Sequence, residues 1–255
     1  MSQLLDHMVE PALHRRGLYG ALWRHFRDTC VRRDESASWF GFNLEEIRRL
    51  QEHLFGMTLL HPVGALRFDL SQREPWRGDR AMEVRASLLR TDRMAHFGPD
   101  ADELWDRCAP RLDTALVRDA RYLNWRYADC PDVAYESVAA RNRLTGRLAG
   151  LAVLRLGWQH EPMAALVDWL VPDARRSVWI RLLGACHDLA RGAGLAFCRA
   201  WLPPGSPDHA VLLDLGYRPE STPFLVSAVD DGIATRVLPR LGGRWHYTMG
   251  DTDIF

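Results

Sequence analysis

Two stretches of this 255-residue chain repeat one another. Residues 4–19 read Leu-Leu-Asp-His-Met-Val-Glu-Pro-Ala-Leu-His-Arg-Arg-Gly-Leu-Tyr, and residues 166–179 read Leu-Val-Asp-Trp-Leu-Val-Pro-Asp-Ala-Arg-Arg-Ser-Val-Trp. Each copy has the pattern of a strand ending in Val and Pro, a short loop, an Arg-Arg pair and a Leu-rich helix. Both run on to a glycine at nearly the same distance, with 45 positions from Pro11 to Gly56 and 44 from Pro172 to Gly216. A matched proline or arginine pair alone carries no weight. Agreement in both order and length implies one fold unit used twice.

The length admits one large or two modest domains with a buried core. Thirty-three basic and 33 acidic residues leave a formal net charge of +0, so composition gives no support to a nucleic-acid or acidic-membrane partner. Every basic residue is Arg and there is no Lys, for which codon composition is the plain explanation; Schiff-base lysine chemistry is excluded, because it needs a primary amine. Cys30, Cys108, Cys130, Cys186 and Cys198 are widely spaced and form no CxxC pair, which points to reduced thiols in a cytoplasmic protein rather than a zinc knuckle or disulfide framework. Met1-Ser2-Gln3 lacks a basic start and Asp6 and His7 interrupt the apolar run, so no secretion signal is expected. No apolar run approaches the roughly 20 residues a membrane helix needs.

Periodicity supplies a coarse element map. A strand is expected over 2–9 and a helix from Ala12 to about Arg33, where Leu13, Leu18, Leu22, Trp23, Phe26 and Cys30 recur at helical spacing. An aromatic strand over 36–42, a helix over 44–54 ending at Gly56, and one or two strands between Met57 and Leu70 follow. The polar run 71–80 reads as the boundary between the copies. Beyond it the pattern gives a strand at 82–89, helices at 100–107 and 114–127, and strands 135–141 and 148–156 joined by a hairpin turn at Leu144-Thr145-Gly146-Arg147. The repeated elements then return as strand 165–171, helix 174–191, strand 195–202, helix 207–215 and strand 223–229.

This order resembles the GNAT acyltransferase fold. The window His14-Arg15-Arg16-Gly17-Leu18-Tyr19, after Val9 and Pro11, is similar to that family's acyl-CoA pyrophosphate loop, Arg/Gln-x-x-Gly-x-Gly/Ala, with His and Tyr at its ends. Tyr122-Leu123-Asn124-Trp125-Arg126-Tyr127 and the closing Trp-x-x-Thr-x-Gly-Asp-Thr-Asp at 245–253 resemble a bacterial subgroup of tandem GNAT proteins, some associated with exopolysaccharide gene clusters. The resemblance implies a mixed α/β (α+β) architecture with a central mixed sheet flanked by helices. It places a partial unit at 1–72 and a complete one at 81–255.

It also implies acetyl-CoA or another acyl-CoA as co-substrate, held by Val9, His14, Arg15, Arg16, Gly17, Leu18 and Tyr19, with Asn43 as a further hydrogen-bonding residue. The chemistry stands without the name. A helix start presents unpaired N–H groups and a positive dipole end to a pyrophosphate. Gly17 lets the backbone approach phosphate oxygens, and Arg15 and Arg16 add charge-assisted hydrogen bonds. The plain alternatives are a solvated helix start for the arginines and a helix N-cap for Asn43. In the second copy, Ser177 and Trp179 stand for Gly17 and Tyr19 and would crowd a pyrophosphate, so that loop reads as degenerate.

The tyrosine that commonly protonates the leaving thiolate in that family, four residues before the helix-ending glycine, is replaced by Glu52 and Leu212. No catalytic residue is therefore assigned. Asp168 reads equally as a proton acceptor or as a buried partner of an arginine. Asp251 and Asp253 read as turn or surface residues rather than a metal site, and the ten histidines show no HxxxH or HExxH pattern.

The expected activity is acyl transfer to an amine or hydroxyl of a small-molecule or saccharide acceptor; the alternative is a degenerate binding module or a fragment of a longer tandem enzyme. Donation from charged tRNA is a third, weaker reading, since no basic stripe is present. Only ten residues precede Pro11, against more than eighty between the 71–80 run and Pro172. Either Met1 is an internal methionine of a longer protein, or a second chain completes the first unit as a homodimer.

Overall fold

The computed structural model describes residues 2–3, 10–13, 15–32, 38–77, 79–158, 161–230 and 245–252. They form two compact units, the first drawn from Met1–Val63 and Thr222–Trp245 and the second from Gly64–Ser221 and His246–Phe255.

The first unit is a four-stranded sheet with two helices. Strand β1 (Ser2–Gln3) runs parallel to β2 (Ser38–Asn43), and a 3-10 turn at Pro11–Leu13 and helix α1 (Leu18–Arg32) connect them. Helix α2 (Glu45–Phe55) follows, with Glu45 and Glu46 at its positive end and Gly56 closing it at φ 70°, a left-handed geometry that favours glycine. Strand β3 (Thr58–Pro62) completes this stretch. The core holds Trp23, Trp39, Met57 and Val229, with Trp23 edge-on to Trp39 at 5.3 Å. Of the apolar α1 residues, Trp23 is buried, whereas Leu18, Leu22 and Phe26 are exposed.

The second unit is a seven-stranded sheet. Strands β5 (Leu89–Met94), β6 (Tyr135–Asn142), β7 (Leu148–Trp158) and β8 (Glu161–Leu170) form an antiparallel meander, and β8 then pairs in parallel with β9 (Phe197–Trp201). The β6–β7 turn is made by the Asn142 carboxamide, whose oxygen accepts from the Leu144 and Thr145 N–H groups. Helix α6 (Arg176–Gly192) crosses from β8 to β9 and lies over the meander, burying Val178, Leu182, Leu183 and Cys186. Helix α4 (Pro99–Cys108) and the short helix α5 (Ala120–Leu123) also belong to this unit. So do helix α7 (Pro207–Asp214), which Ser206 caps by accepting from the His209 N–H, and strand β10 (Arg218–Glu220).

One strand of each unit comes from the other's stretch of chain. Strand β4 (Ala65–Asp69) lies between β9 and β10 in the large sheet, antiparallel to both. Strand β11 (Leu225–Asp230) lies between β2 and β3 in the small sheet, again antiparallel to both. The two copies therefore trace one topology: strand, 3-10 turn, helix, parallel strand, helix, strand, with an exchanged strand inserted before the last. The chain thus divides at 63/64, 221/222 and 245/246 rather than across the polar run 71–80, which lies inside the second unit. The apolar alternation of β4, with Leu66 and Phe68 buried, suits either sheet, so the pattern alone assigned it to its sequence neighbours.

Two further expectations differ locally. The segment expected as a strand at 82–89 is helix α3 (Arg80–Ser87), because the Asp79 carboxylate caps it by accepting from the Ala81 and Met82 N–H groups; the strand starts at Leu89. The helix expected over 114–127 begins only at Ala120, where Asp119 accepts from the Tyr122 N–H at 2.7 Å. It passes into one π-helical turn at Asn124–Ala128.

Candidate functional site

In the first unit the start of α1 lies between the parallel strands β1 and β2 in the chain, where an α/β crossover places a helix N-terminus beside the carboxyl ends of its strands. Gly17 sits at φ 71° and its carbonyl accepts the first helical bond, from the Ala21 N–H at 3.0 Å. The N–H groups of the first turn therefore have no partner within the helix. Arg15 adopts φ 62°, a left-handed conformation that a side-chain-bearing residue reaches at a cost. Arg15, Arg16, Gly17 and Leu18 all face solvent, and a Cβ added at Gly17 would meet nothing within 4 Å. The glycine is thus required for its backbone angle and leaves open space above the helix start.

Tyr19 turns away from that space. Its hydroxyl accepts from the Gln51 amide at 3.3 Å and its ring lies 5.4 Å from Phe55, so it ties α1 to α2 and does not obstruct the loop. Asn43 ends β2, beyond the residues paired with β1. It is buried and its amide donates to the Ser227 hydroxyl on β11 at 2.9 Å. The helix cap is Leu44, without a side-chain bond, so Asn43 fills neither the capping role nor a solvent-facing one. Val9 and His14 lie outside the described residues. The structure brings Arg15, Arg16, Gly17 and Leu18 together and places Tyr19 and Asn43 in supporting contacts.

The second unit's corresponding opening is filled. Strands β8 and β9 pair only as far as Leu166 and Ala200, and β8 continues to Leu170 against β7 alone. At the point of divergence, the fully buried Asp168 carboxylate accepts from Arg118 Nε at 2.8 and 3.0 Å. It also accepts from the Tyr127 hydroxyl at 2.8 Å, the Trp169 N–H at 2.9 Å and the Thr248 hydroxyl at 3.3 Å. Arg118 donates in turn to Asp251 at 2.6 Å. Burial opposes the guanidinium charge, but the two carboxylates outweigh it and hold Arg118 protonated. Burial pushes the Asp251 carboxyl above its ordinary range against the pull of Arg118. Burial, then Asp168, keeps the Tyr127 phenol neutral.

Asp168 is therefore the buried partner of an arginine. Asp251 is a correction to the surface reading: it is buried, and its carboxylate closes a capping box with Thr248. Asp253 lies outside the described residues. His246 to Thr252 are all buried in this unit, held also by Arg126, which donates to the Gly250 and Thr252 carbonyls. The two most particular stretches of sequence, 122–127 and 245–253, thus meet through their described residues.

The second loop departs from the first. Asp173 and Ala174 take φ 53° and 47°, and Trp179 is fully buried against Trp169, 5.5 Å between rings, with His246 edge-on to Trp169. These rings, Asp208 bonded to Trp169 Nε1, and the closing segment occupy the end of β8. Of the two positions where a tyrosine acid was sought, Leu212 is buried and Glu52 is exposed and paired with Arg48. Sequence reading missed Arg118, Tyr127 and Thr248, and also a buried Glu74–His187–Tyr217 chain behind β4, with Tyr217 Oη 3.0 Å from His187 Nε2. Among the described residues, no group of His, Cys, Asp and Glu is arranged to hold a metal, and no helix is long and apolar enough to cross a membrane.

No family model matches the chain, and no curated protein matches it by sequence. Solved structures do match in fold. A tandem GNAT protein from the clavulanic acid biosynthesis pathway aligns over 91% of this chain and 75% of its own, with TM-score 0.56 and 17% identity. A GCN5-related N-acetyltransferase from Anabaena variabilis aligns over 88% of this chain and 53% of its own, with TM-score 0.60 and 11% identity. Saccharomyces cerevisiae N-myristoyltransferase with bound myristoyl-CoA aligns over 87% and 60%, with TM-score 0.52 and 14% identity. At these identities the likeness is one of fold.

Proposed function

We propose, for a chain that carries the GCN5-related N-acetyltransferase fold, that the first unit binds an acyl-CoA and the protein transfers its acyl group to an amine or hydroxyl of a small-molecule or saccharide acceptor. One observation carries the reading: the exposed Arg15-Arg16-Gly17 turn, with open space over Gly17, leads into a helix start whose first N–H groups have no helical partner. These residues would hold the pyrophosphate of the donor through backbone N–H groups, the helix dipole and two guanidinium groups. The acceptor nitrogen or oxygen would then attack the thioester carbon directly. The C–S bond breaks, the thiolate takes up a proton and the nucleophile gives one up. The bound myristoyl-CoA in the yeast neighbour supports acyl-CoA as the donor class.

A second reading, an acyl-CoA-binding module without chemistry, is favoured by Glu52 and Leu212 at the acid positions and by the filled opening of the second unit. Thermal denaturation with acetyl-CoA tests the shared part. A ligand at about 100 times its dissociation constant adds roughly 2.7 kcal/mol, which Arg15→Ala combined with Gly17→Trp should remove. Unchanged affinity in that variant, or no stabilisation of the wild type, defeats the donor-site assignment. Acyl transfer to amine and aminosugar panels then separates enzyme from module.

A further inference from the structure

In the second unit α3 packs beside α6, and the two helices, the polar run 71–80 and β5 line a groove of about 530 Å³. Volumes of this order hold small molecules. Arg181, Gly184 and Asp188 reach it from one face of α6, and Arg73 and Arg77 reach it from the polar run. Three observations set it apart from a plain seam between helices. The first is charge. Arg77 is matched, lying 3.0 Å from Asp188 and 2.7 Å from the buried Glu74. Arg73 and Arg181 form no ion pair among the described residues, and Glu83, the other lining carboxylate, is already engaged. The even charge balance of the whole chain conceals this local excess. The second is an unmet donor. Arg181 Nε is buried and no acceptor among the described residues reaches it, which costs stability unless a ligand supplies one. The third is Gly184. It stands at the centre of a 17-residue helix, where glycine is a poor helix former, yet a Cβ placed on it would meet nothing within 4 Å. No neighbour among the described residues requires the missing side chain, and its absence keeps the groove open.

We propose that this groove binds a small molecule through an oxyanion, phosphate or carboxylate, held by the Arg181 and Arg73 guanidinium groups, with the body of the molecule lying over Gly184. The planar donor fork of arginine fits either oxyanion, and charge-assisted bonds to it are the strong ones. Arg181 Nε gains the acceptor it lacks, and the two unmatched positive charges are neutralised together. Arg77, tied to Asp188 and Glu74, fixes the polar run against α6 and so sets the groove's width. All lining residues belong to the second unit, and none is shared with the Arg15–Tyr19 turn. The inference is therefore independent of the acyl-donor reading.

Calorimetric titration of the full chain at constant ionic strength tests it, with inorganic phosphate, glucose 6-phosphate and succinate as probes. The wild type should bind at least one; phosphate compounds or succinate alone identify which oxyanion the groove takes. Arg73→Gln combined with Arg181→Gln should weaken that binding at least tenfold. Gly184→Leu should do the same by filling the space, while the thermal midpoint of the free protein holds or rises, since leucine favours a helix. Arg147→Gln removes the same charge at an exposed site outside the groove and should leave binding intact. So should Arg15→Ala combined with Gly17→Trp, which separates this groove from the donor turn. No binding of any probe by the wild type, wild-type affinity in either groove variant, or equal weakening by Arg147→Gln overturns the proposal. Loss of binding in the Arg15, Gly17 variant overturns it as well.

Discussion

Asp168→Ala tests whether the centre of the second unit is structural. The carboxylate accepts from the Arg118 guanidinium, the Tyr127 hydroxyl, the Trp169 N–H and the Thr248 hydroxyl, all buried. Removing one partner of a buried ion pair costs about 3–5 kcal/mol. Each further buried donor left without an acceptor costs about 1–3 kcal/mol, not additively. Asp251 still faces Arg118 after the change, so the sum stays near the upper pair value, about 5 kcal/mol. Against a typical total of roughly 5–15 kcal/mol this is a large share, and at about 2–4 °C per kcal/mol it lowers the melting temperature by roughly 10–20 °C. Urea denaturation followed by tryptophan fluorescence and circular dichroism reads both. Asp168→Asn, which keeps an acceptor in place, should lose about half as much. A loss under about 1 kcal/mol for the alanine variant would refute the reasoning. So would an asparagine variant of full stability that has lost acyl transfer, since that marks a proton acceptor.

Burial lowers the pKa of His187 below its ordinary 6.5, with Glu74 opposing. A base with a depressed folded pKa contributes stability that is complete above 6.5 and lost as pH falls below it, by up to about 1.4 kcal/mol per unit. His246 acts in the same sense, whereas Asp251, with a raised pKa, acts in the opposite one. The wild type should therefore lose more stability than His187→Gln between pH 7 and 5, and equal losses contradict the buried-neutral assignment. The buried thiols make a second test. Burial pushes Cys108 up to about 12 and Cys198 up to about 11, and Cys186 is raised as well, whereas Cys130 is half-buried. Among these four, iodoacetamide should label Cys130 first under native conditions, and prior labelling of Cys108 by mass spectrometry counts against the packing.

Much of this architecture is legible in the sequence. The duplicated Val/Pro, Arg-Arg and glycine spacing located both crossover units, and the Gly17 turn was recognisable because only glycine reaches its backbone angle cheaply. The exchange of β4 and β11 was not readable, since a strand's alternation says which face is buried and not which sheet it joins. Helix α3 was misread because the apolar residues at 82, 84 and 86 alternate, and the Asp79 cap decides the matter. The Arg118 network was hidden for a different reason. Its members come from 118, 127, 168, 248 and 251, and only their convergence distinguishes Asp251 from a surface carboxylate. Asn43 reads from the sequence as a hydrogen-bonding residue for CoA or as a helix N-cap, and neither reading reaches its partner Ser227, which lies on the exchanged strand.

Crossing the chain over between sheets has a cost in time. Asn43 must wait for Leu225, and Asp69 for Phe197, so neither sheet gains its exchanged inner strand until those distant residues have been made. Contacts so distant along the chain slow folding and leave half-made edges open to wrong partners meanwhile. The same interlacing bears on any division of the gene: a split in the polar run would yield two products, each lacking a strand that only the other possesses.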